Sequence, residues 1–246
     1  MFNWFKKSEV KNKITFDYSS IIVDIHSHVL PGIDDGAQTP AESIVLIRKM
    51  MALGIKKIIA TPHIMADYYK NTAETINASL DILKAELEKE KIDIEVEAAA
   101  EHYFDETFEA RVNDHKLMTM GDNYVLFEFS FISQPPNVVQ VIQKLKQLGY
   151  KPILAHPERY PYMDVEQFRT LREWGLCLQM NTISLTGYYG KEAKKLAESL
   201  IDEQLVDFIS SDMHHLRHAE AFKDALKTPY LEKLLFDYPL KNIMLK

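Results

Sequence analysis

The feature of this sequence that most constrains its fold is the alternation of short apolar runs with longer amphipathic stretches. The short runs predict buried strands, and the longer stretches have the period of about 3.6 residues that is typical of helices. Such an alternation predicts an α/β fold with a parallel sheet. The predicted strands are residues 21–25, 55–60, 94–99, 124–129, 152–155, 176–180 and 206–210. The predicted helices are residues 40–53, 72–90, 137–148, 165–174, 191–203 and 219–227.

Residues at the predicted helix ends support these elements. Thr39 is a suitable N-cap, and Pro40 suits the first helical position. Gly54, Gly149 and Gly175 each follow a predicted helix, and glycine ends a helix there because it takes positive φ without a Cβ clash. For a chain of 246 residues, seven strands alternating with helices favour a closed α/β barrel. A doubly wound open sheet is the competing fold, since alternation alone does not separate the two.

The chain shows no internal division. No Gly/Ser-rich linker, low-complexity tract or composition break is present, so we predict an N-terminal extension at residues 1–20 and a single domain at residues 21–246. The aromatic and basic residues near the start are expected to form a poorly ordered tail, with contact to a membrane surface as the alternative. No apolar run is long enough to span a bilayer, and the start lacks the pattern of a signal peptide.

Charge and cysteine content disfavour several classes of protein. The formal net charge is −7, which argues against a general nucleic-acid binder because such a protein needs basic surface. A phosphorylated substrate stays compatible with this charge, since bound cations reverse the local sign of a site. Cys177 is the only cysteine, so the chain has no internal disulfide and no thiolate zinc cluster. A reducing cytoplasm is therefore the predicted location.

Residue types that bind metals follow the predicted strands. His26 and His28 face the same way in extended chain, so they can offer two imidazoles to one ion. In a parallel α/β fold the carboxyl ends of the strands lie on one face, where barrel enzymes have their active sites. Each residue alone has an ordinary structural interpretation, but the set as a whole predicts a metal site on that face. The other candidates are Asp35, His63, Glu101, Glu128, His156, Asp212 and His214, with Asn181 after the sixth strand.

The ligand types indicate which metals suit such a site. Imidazole mixed with carboxylate, without thiolate, suits Mn, Fe or Zn, whereas calcium prefers oxygen ligands alone. The candidates exceed the needs of one ion, so two or three cations are expected. Closely spaced cations clamp phosphoryl oxygens and generate hydroxide from water near neutral pH. Arg159 is a candidate for binding phosphate oxygens, and a surface salt bridge to Glu158 is its alternative interpretation.

Taken in order, these motifs resemble those of the polymerase-and-histidinol-phosphatase (PHP) superfamily. More closely, they resemble its bacterial manganese-dependent protein-tyrosine phosphatases, the type linked to capsular and exopolysaccharide synthesis. The resemblance extends over nearly the whole chain, from about residue 24 to residue 214. The motifs are DIHSH at 24–28, DDG at 34–36, TPH at 61–63, AE at 100–101, EFS at 128–130, AHPERY at 155–160 and SDMH at 211–214.

The resemblance implies a single-domain, distorted (β/α)7 barrel of the PHP fold, similar to a TIM barrel, with three metal ions. Arg159 would bind the substrate phosphate, and Arg159 and Asp212 are the implied catalytic residues. The implied ligand sets are His26, His28, Glu101 and Asp212 for one ion, Glu101, Glu128 and His156 for a second, and Asp35, His63 and His214 for the third.

The activity implied by the resemblance is hydrolysis of phosphotyrosine by a metal-activated hydroxide. The implied cofactor is Mn²⁺, with Fe, Zn, Co or Mg as alternatives. The implied partner is a phosphotyrosine protein, namely a bacterial tyrosine kinase that controls capsule and exopolysaccharide synthesis. Histidinol phosphate or another small phosphomonoester is the alternative substrate, because metal ligands address the phosphoryl group and not its leaving alcohol. The acidic charge disfavours a nuclease, and the complete ligand set disfavours a non-catalytic metal-binding scaffold.

Several residues have no matching role. A cysteine phosphatase needs Arg at the position of Ile183, so Cys177 is interpreted as a buried structural residue. Relatives of this type often have a further Arg beyond the Asp-x-His motif, and Arg217 either substitutes for it or faces solvent. Residues 230–246 are expected to form a last helix and tail. The remaining histidines are interpreted as ordinary or supporting residues: His102, His115, His215 and His218.

Overall fold

The computed structural model describes residues 16–246, so most of the predicted N-terminal extension lies outside the described part. The strands are β1 (Val23–Asp24), β2 (Lys57–Ala60), β3 (His63–Ile64), β4 (Glu95–Ala98), β5 (Glu101–Tyr103), β6 (Tyr124–Glu128), β7 (Lys151–Ala155), β8 (Cys177–Asn181) and β9 (Phe208–Ser210). The α-helices are α1 (Pro40–Met51), α2 (Ala73–Lys89), α3 (Glu106–Asn113), α4 (Val138–Gln147), α5 (Val165–Glu173), α6 (Lys191–Asp202), α7 (Leu216–Ala225) and α8 (Pro229–Phe236). Short 3₁₀-helices cover Tyr18–Ser20, Pro157–Arg159, Thr182–Thr186 and Asn242–Leu245.

The predicted α/β class is confirmed, and every predicted strand and helix overlaps an observed one. Thr39 caps α1 by accepting a hydrogen bond from the Glu42 amide, and Pro40 is the first helical residue. Gly54 takes φ +102°, and a Cβ there would lie 2.7 Å from the Ser19 nitrogen. Only a glycine meets both demands of this turn. The sequence did not predict the short strands β3 and β5 or the helix α3.

The strands form two hydrogen-bonded sheets that follow one another. One sheet has the order β1-β2-β4 and the other β3-β5-β6-β7-β8-β9, with parallel pairing throughout. Two residues separate β2 from β3, and two separate β4 from β5, so the first sheet runs on into the second. Neighbouring strands follow chain order, which excludes the doubly wound alternative, because its order reverses at a switch point.

Direct contacts bring the last strand back to the first. The Asp212 amide donates to the His26 carbonyl at 2.9 Å, and the His28 amide donates to the Met213 carbonyl at 2.9 Å. The buried Asn242 side chain bridges β1 and β9 as well. In the described residues the paired ladder does not run unbroken around this strand ring, so complete closure as a (β/α)7 barrel stays a prediction that these contacts support.

Alternating side chains of the strand ring separate an inner core from an outer one. On β6, Tyr124 and Leu126 belong to the inner cluster, whereas Val125 and Phe127 pack outward in the cluster beneath the helices. Because side chains alternate along a strand, Glu128 continues the inward row. Apolar side chains therefore fill the interior toward the amino ends of the strands, and polar side chains occupy the carboxyl ends.

The start of the described chain packs onto the domain. The Tyr18 ring stacks on Phe222 with centroids 3.9 Å apart, and its hydroxyl donates to the Phe222 carbonyl at 2.8 Å. The domain boundary at residue 21 stays a prediction. Among residues 16–246, no helix combines the length and the hydrophobicity needed to cross a membrane.

Candidate metal centre and phosphate-binding site

The structure brings all ten predicted site residues to the carboxyl end of the strand ring. A cavity of about 580 Å³ opens there. His26 and His28 lie beneath its floor with no exposed surface. Asp35 lies at the rim, with its side chain 51% exposed. The predicted residues that line the cavity are Asp35, His63, Glu101, Glu128, His156, Arg159, Asp212 and His214.

Glu101, the first residue of β5, lies at the centre of the cluster. Its Oε2 atom lies 3.2 Å from Nε2 of His26, 3.4 Å from Nε2 of His28 and 3.1 Å from Nδ1 of His63. This oxygen is buried, yet it has no hydrogen-bond partner despite the three nitrogens around it. A buried carboxylate oxygen without a partner costs about 1–3 kcal/mol or more. A shared cation would remove that cost, so the donor geometry fits a metal ion.

The other carboxylates extend the cluster in two directions. Oδ1 of Asp212 lies 3.4 Å from Nε2 of His26 and 3.5 Å from Nε2 of His28. On the other side of Glu101, Oε1 of Glu128 lies 3.2 Å from Nδ1 of His63. Asp212 and Glu128 are 1% and 3% exposed, so both carboxylates lie in an environment where charge needs a partner.

His156 and His214 complete the ring of imidazoles. Nε2 of His156 lies 3.1 Å from Glu101 Oε1 and 3.6 Å from Glu128 Oε2. Nε2 of His214 lies 3.6 Å from Asp35 Oδ1. Burial lowers the pKa of His214 and the nearby His28 lowers it further, to about 3, so His214 is neutral near pH 7 and free to act as a ligand.

Hydrogen bonds to Nδ1 of His26 and of His28 leave Nε2 of each imidazole facing the cluster. Nδ1 of His26 lies 2.8 Å from Gln179 Oε1, and Nδ1 of His28 lies 2.7 Å from Asp34 Oδ2. When Nδ1 donates to these acceptors, the Nε2 lone pair is presented to a metal. Burial raises the pKa of Asp34, but the adjacent His28 outweighs this and lowers it to about 2. Sequence reasoning did not assign these roles to Asp34 and Gln179.

A chain of amide hydrogen bonds orients Asp212. The Gln179 amide donates to Asn181 Oδ1 at 2.9 Å, and the Asn181 amide donates to Asp212 Oδ2 at 2.7 Å. Burial raises the pKa of Asp212, but His26 and other cationic neighbours hold it well below its usual value. Asp212 is therefore ionised, with Oδ2 held by Asn181 and Oδ1 directed at the imidazoles.

Four overlapping groups place His, Asp and Glu donor atoms within 4.8 Å of one another, close enough to share a cation. Overlap of this kind suits several closely spaced ions more than a single one. The groups are His26, His28 and Glu101; His26, His156 and Asp212; His63, Glu101 and Glu128; and His28, Asp35, His63 and His214.

Arg159 lies in the cavity against two aromatic rings. Its guanidinium carbon is 4.4 Å from the centroid of Phe131 and 4.2 Å from that of Tyr189, and its Nη1 is 3.2 Å from Asp212 Oδ2. These two cation–π contacts restrain the guanidinium, whose planar array of N–H groups suits phosphate oxygens. The alternative interpretation, a surface salt bridge to Glu158 or a similar residue, is wrong, because Arg159 pairs with the buried Asp212, while Glu158 Oε1 accepts hydrogen bonds from the Asn181 backbone amide and the Ser184 hydroxyl. Sequence reasoning missed both aromatic residues.

Two of the candidate ligands have unusual backbone conformations. His156, directly after β7, has φ 34°, and Asp212, two residues after β9, has φ 51°. Left-handed backbone at non-glycine residues costs about 1–3 kcal/mol and concentrates at functional sites. Here both residues belong to one of the groups whose donor atoms could share a cation.

The residues that had no predicted role lie in varied surroundings. Cys177 is half-buried and not enclosed, and it begins β8 at the end of the strand ring opposite to the cavity. Arg217 is exposed and lines a neighbouring groove. His102 is buried, whereas His115 is exposed. The other two histidines line the cavity: His215 and His218.

Comparisons with known proteins agree with this geometry. The tyrosine-protein phosphatase YwqE of Bacillus subtilis is 34% identical over 199 residues, which is 80% of this chain and 78% of the relative. A chain from the crystal structures of YwqE from Bacillus subtilis and CpsB from Streptococcus pneumoniae, described as metal-dependent tyrosine phosphatases, matches with TM-score 0.76 and 31% identity, over 89% of this chain and 96% of that one. Histidinol phosphate phosphatase from Lactococcus lactis has TM-score 0.50 and 14% identity, over 83% of this chain and 92% of that one, which shows a shared fold alone.

The family model described as "Capsular polysaccharide synthesis, CpsB/CapC" matches residues 22–235. This match spans β1 to α8 and so includes every strand and all ten predicted site residues. The chain belongs to the CpsB/CapC family of capsular polysaccharide synthesis proteins.

Proposed function

We propose that this protein is a metal-dependent tyrosine-protein phosphatase, a phosphoric monoester hydrolase that removes phosphate from phosphotyrosine in proteins. The observation that carries the proposal is the buried Glu101 oxygen, which faces three imidazole nitrogens without a hydrogen bond, in the same cavity as the stacked Arg159. The first feature suits cations and the second suits an anion. A phosphate ester is the ligand that needs both.

We further propose that the cavity takes two or three divalent cations, with Mn²⁺ the expected metal and Fe, Zn, Co or Mg as alternatives. Bound cations would neutralise charge on the phosphoryl oxygens and lower the pKa of water at the site. The proposed ligand sets are His26, His28, Glu101 and Asp212; Glu101, Glu128 and His156; and Asp35, His63 and His214.

Arg159 is the proposed phosphate ligand. Its two stacking partners and Asp212 fix the guanidinium before substrate arrives, so little entropy is lost when it binds phosphate oxygens. Asp212 has a double role, because Oδ1 faces the imidazoles while Oδ2 faces Arg159. Phosphate bound to the guanidinium would therefore lie against the proposed metal cluster.

The cavity wall supports an aryl phosphate as substrate. Phe131, Tyr69 and Tyr189 line the cavity, and the exposed Tyr68 lies at its rim. Aromatic rings pack favourably on the phenyl ring of phosphotyrosine, so a cavity lined by them suits an aryl phosphate. The proposed partner is a bacterial tyrosine kinase that controls capsule or exopolysaccharide synthesis, and the proposed location is the cytoplasm, which the single cysteine suits.

The test is phosphate release from a phosphotyrosyl peptide by protein loaded with Mn²⁺, compared with chelator-treated protein and with histidinol phosphate as substrate. Asp212→Asn should lower kcat/KM at least about 100-fold, because it removes the charge that serves both the cations and Arg159. Asp81→Asn, an exposed acid on α2, is the matched control. Full activity in chelator-treated protein, or in Asp212→Asn, would show that the proposal is wrong.

A further inference from the structure

A second depression lies directly beside the metal-site cavity. It has a volume of about 670 Å³ and lies between the first half of α1 and the beginning of α7. We refer to it as the α1–α7 groove. Its lining includes Glu42, Val45, His214, His215, Leu216 and Arg217.

Two large apolar side chains of the α1–α7 groove are exposed. Val45 is 43% exposed and Leu216 is 52% exposed, one on each wall. A helix of a globular protein normally keeps its polar face toward solvent, so a pair of exposed aliphatic residues across a depression is a feature of binding surfaces.

The groove also contains a cationic side chain, Arg217, that has no ion-pair partner among residues 16–246, although the chain is rich in acidic residues. Glu42 is the acidic residue of the groove. Its carboxylate accepts a hydrogen bond from the backbone amide of Gln38, two residues before α1. The groove therefore presents apolar contacts together with an available guanidinium.

The cavity and the groove share a wall. His214 and His215 line both, so a chain that leaves the cavity past these two residues enters the groove directly. Extended polypeptide advances by about 3.3–3.6 Å per residue, so the first few residues beside a bound phosphotyrosine would reach it. No comparable continuity is needed for a small phosphate ester, which the cavity alone would hold.

We propose that the α1–α7 groove binds the segment of the phosphoprotein substrate that flanks its phosphotyrosine, and that it selects an aliphatic residue together with an acidic one. The aliphatic side chain packs between Val45 and Leu216, and the carboxylate pairs with Arg217. This inference rests on the proposed function, since the occupant is the flank of a phosphotyrosyl chain. It adds that recognition extends beyond the phosphate to sequence on one side of it.

The experiment compares two kinds of substrate in the metal-loaded enzyme. p-Nitrophenyl phosphate reports on the cavity alone, and a set of phosphotyrosyl peptides with Leu and Glu placed at successive positions on either side reports on the groove. In the wild-type enzyme, peptides with Leu and Glu on one side should have kcat/KM about tenfold above peptides with Ser at the same positions. Equal kcat/KM for all peptides would overturn the proposal.

Two variants and a control sharpen this comparison. Leu216→Glu and Arg217→Glu should each remove the roughly tenfold preference while leaving kcat/KM for p-nitrophenyl phosphate unchanged. In Arg217→Glu, replacing the Glu of the peptide by Lys should restore the preference, which a merely damaged fold would not do. Ile82→Glu places the same charge at an exposed apolar residue on α2, away from the groove, and should change nothing.

The remaining outcomes separate this inference from the proposed function. An enzyme inactive on every aryl phosphate would remove the proposed function itself. Activity on p-nitrophenyl phosphate with no preference among peptides would remove only the groove. A dimer at assay concentration that Leu216→Glu converts to a monomer would show that a second copy of the chain fills the groove, and it would overturn the inference.

Discussion

Replacing Asn242 by Ala should destabilise the protein by disconnecting the two ends of the strand ring. Asn242 is fully buried in the last 3₁₀-helix. Its amide donates to the Val23 carbonyl at 3.0 Å and to the Ile209 carbonyl at 2.8 Å, and its oxygen accepts from the Ile209 amide at 3.1 Å. One side chain therefore takes the place of a strand pairing between β1 and β9.

The expected magnitude follows from these three hydrogen bonds. A buried backbone group left without a partner costs about 1–3 kcal/mol. With some relief from water entering the space, Asn242→Ala should lower the free energy of unfolding by about 3–5 kcal/mol. For a domain of this size that corresponds to a fall in Tm of about 6–20 °C. Because β1 leads into His26 and β9 into Asp212, the affinity for divalent cations should fall as well.

Urea denaturation and calorimetry of the metal-free protein measure this cost without a contribution from bound ions. Asn77→Ala, at an exposed position on α2, is the control and should stay within about 0.5 kcal/mol of the wild type. Asn242→Asp keeps the acceptor but directs negative charge at two carbonyls, so it should destabilise at least as much as Ala. A loss below about 1 kcal/mol in Asn242→Ala, or a wild-type Tm in Asn242→Asp, would refute the reasoning.

Three further outcomes are expected at the site. Mn²⁺ at 100-fold excess over its Kd should raise the Tm by about 5–10 °C for each ion bound. Glu101→Gln, but not the exposed Glu88→Gln, should abolish this rise in thermal scans. Arg159→Lys keeps the charge but loses the planar guanidinium and its stacking on the aromatic rings. This loss should cost about 3 kcal/mol of transition-state stabilisation, or about 100-fold in kcat/KM for p-nitrophenyl phosphate. Wild-type kinetics would contradict the role of the guanidinium. Burial lowers the pKa of His63, but Glu101 outweighs this and raises the pKa to about 9. Cation binding at pH 7 should therefore release a proton, and the cation affinity measured by calorimetry should rise with pH up to about 9. A pH-independent affinity would contradict that assignment.

The sequence predicted the elements that depend on local pattern. Apolar runs located β1, β6 and β7 because burial on both faces leaves few polar residues inside a strand. It also predicted that residues as distant as His26 and His214 would meet, because parallel strands bring their carboxyl ends to one face whatever the loop lengths are.

Features that depend on long-range contacts were not predictable from local pattern. The apolar runs at 55–60 and 94–99 form β2 and β4. After a gap of two residues, strand pairing resumes in β3 and β5, which are only two and three residues long. Phe131 and Tyr189 lie outside strands and α-helices, and nothing in the spacing of the surrounding residues predicts that both contact the Arg159 guanidinium. The residues around Asn242 in the sequence do not indicate its role, because its hydrogen-bond partners belong to β1 and β9, which are distant in the chain.

Charge balance connects the fold to the proposed chemistry. Glu101, Glu128 and Asp212 are each at most 3% exposed, and the permanent cation Arg159 pairs with Asp212 alone among them. In metal-free protein the balance therefore falls to protons on imidazoles, and the raised pKa of His63 reflects this. Protons satisfy the charge but not the geometry, since the Glu101 oxygen among three imidazoles still lacks a hydrogen bond. Divalent cations satisfy both, because one ion contacts several donors at once. The buried carboxylates that lower the stability of the metal-free protein are thus the groups that would bind the cations used to hydrolyse a phosphate ester.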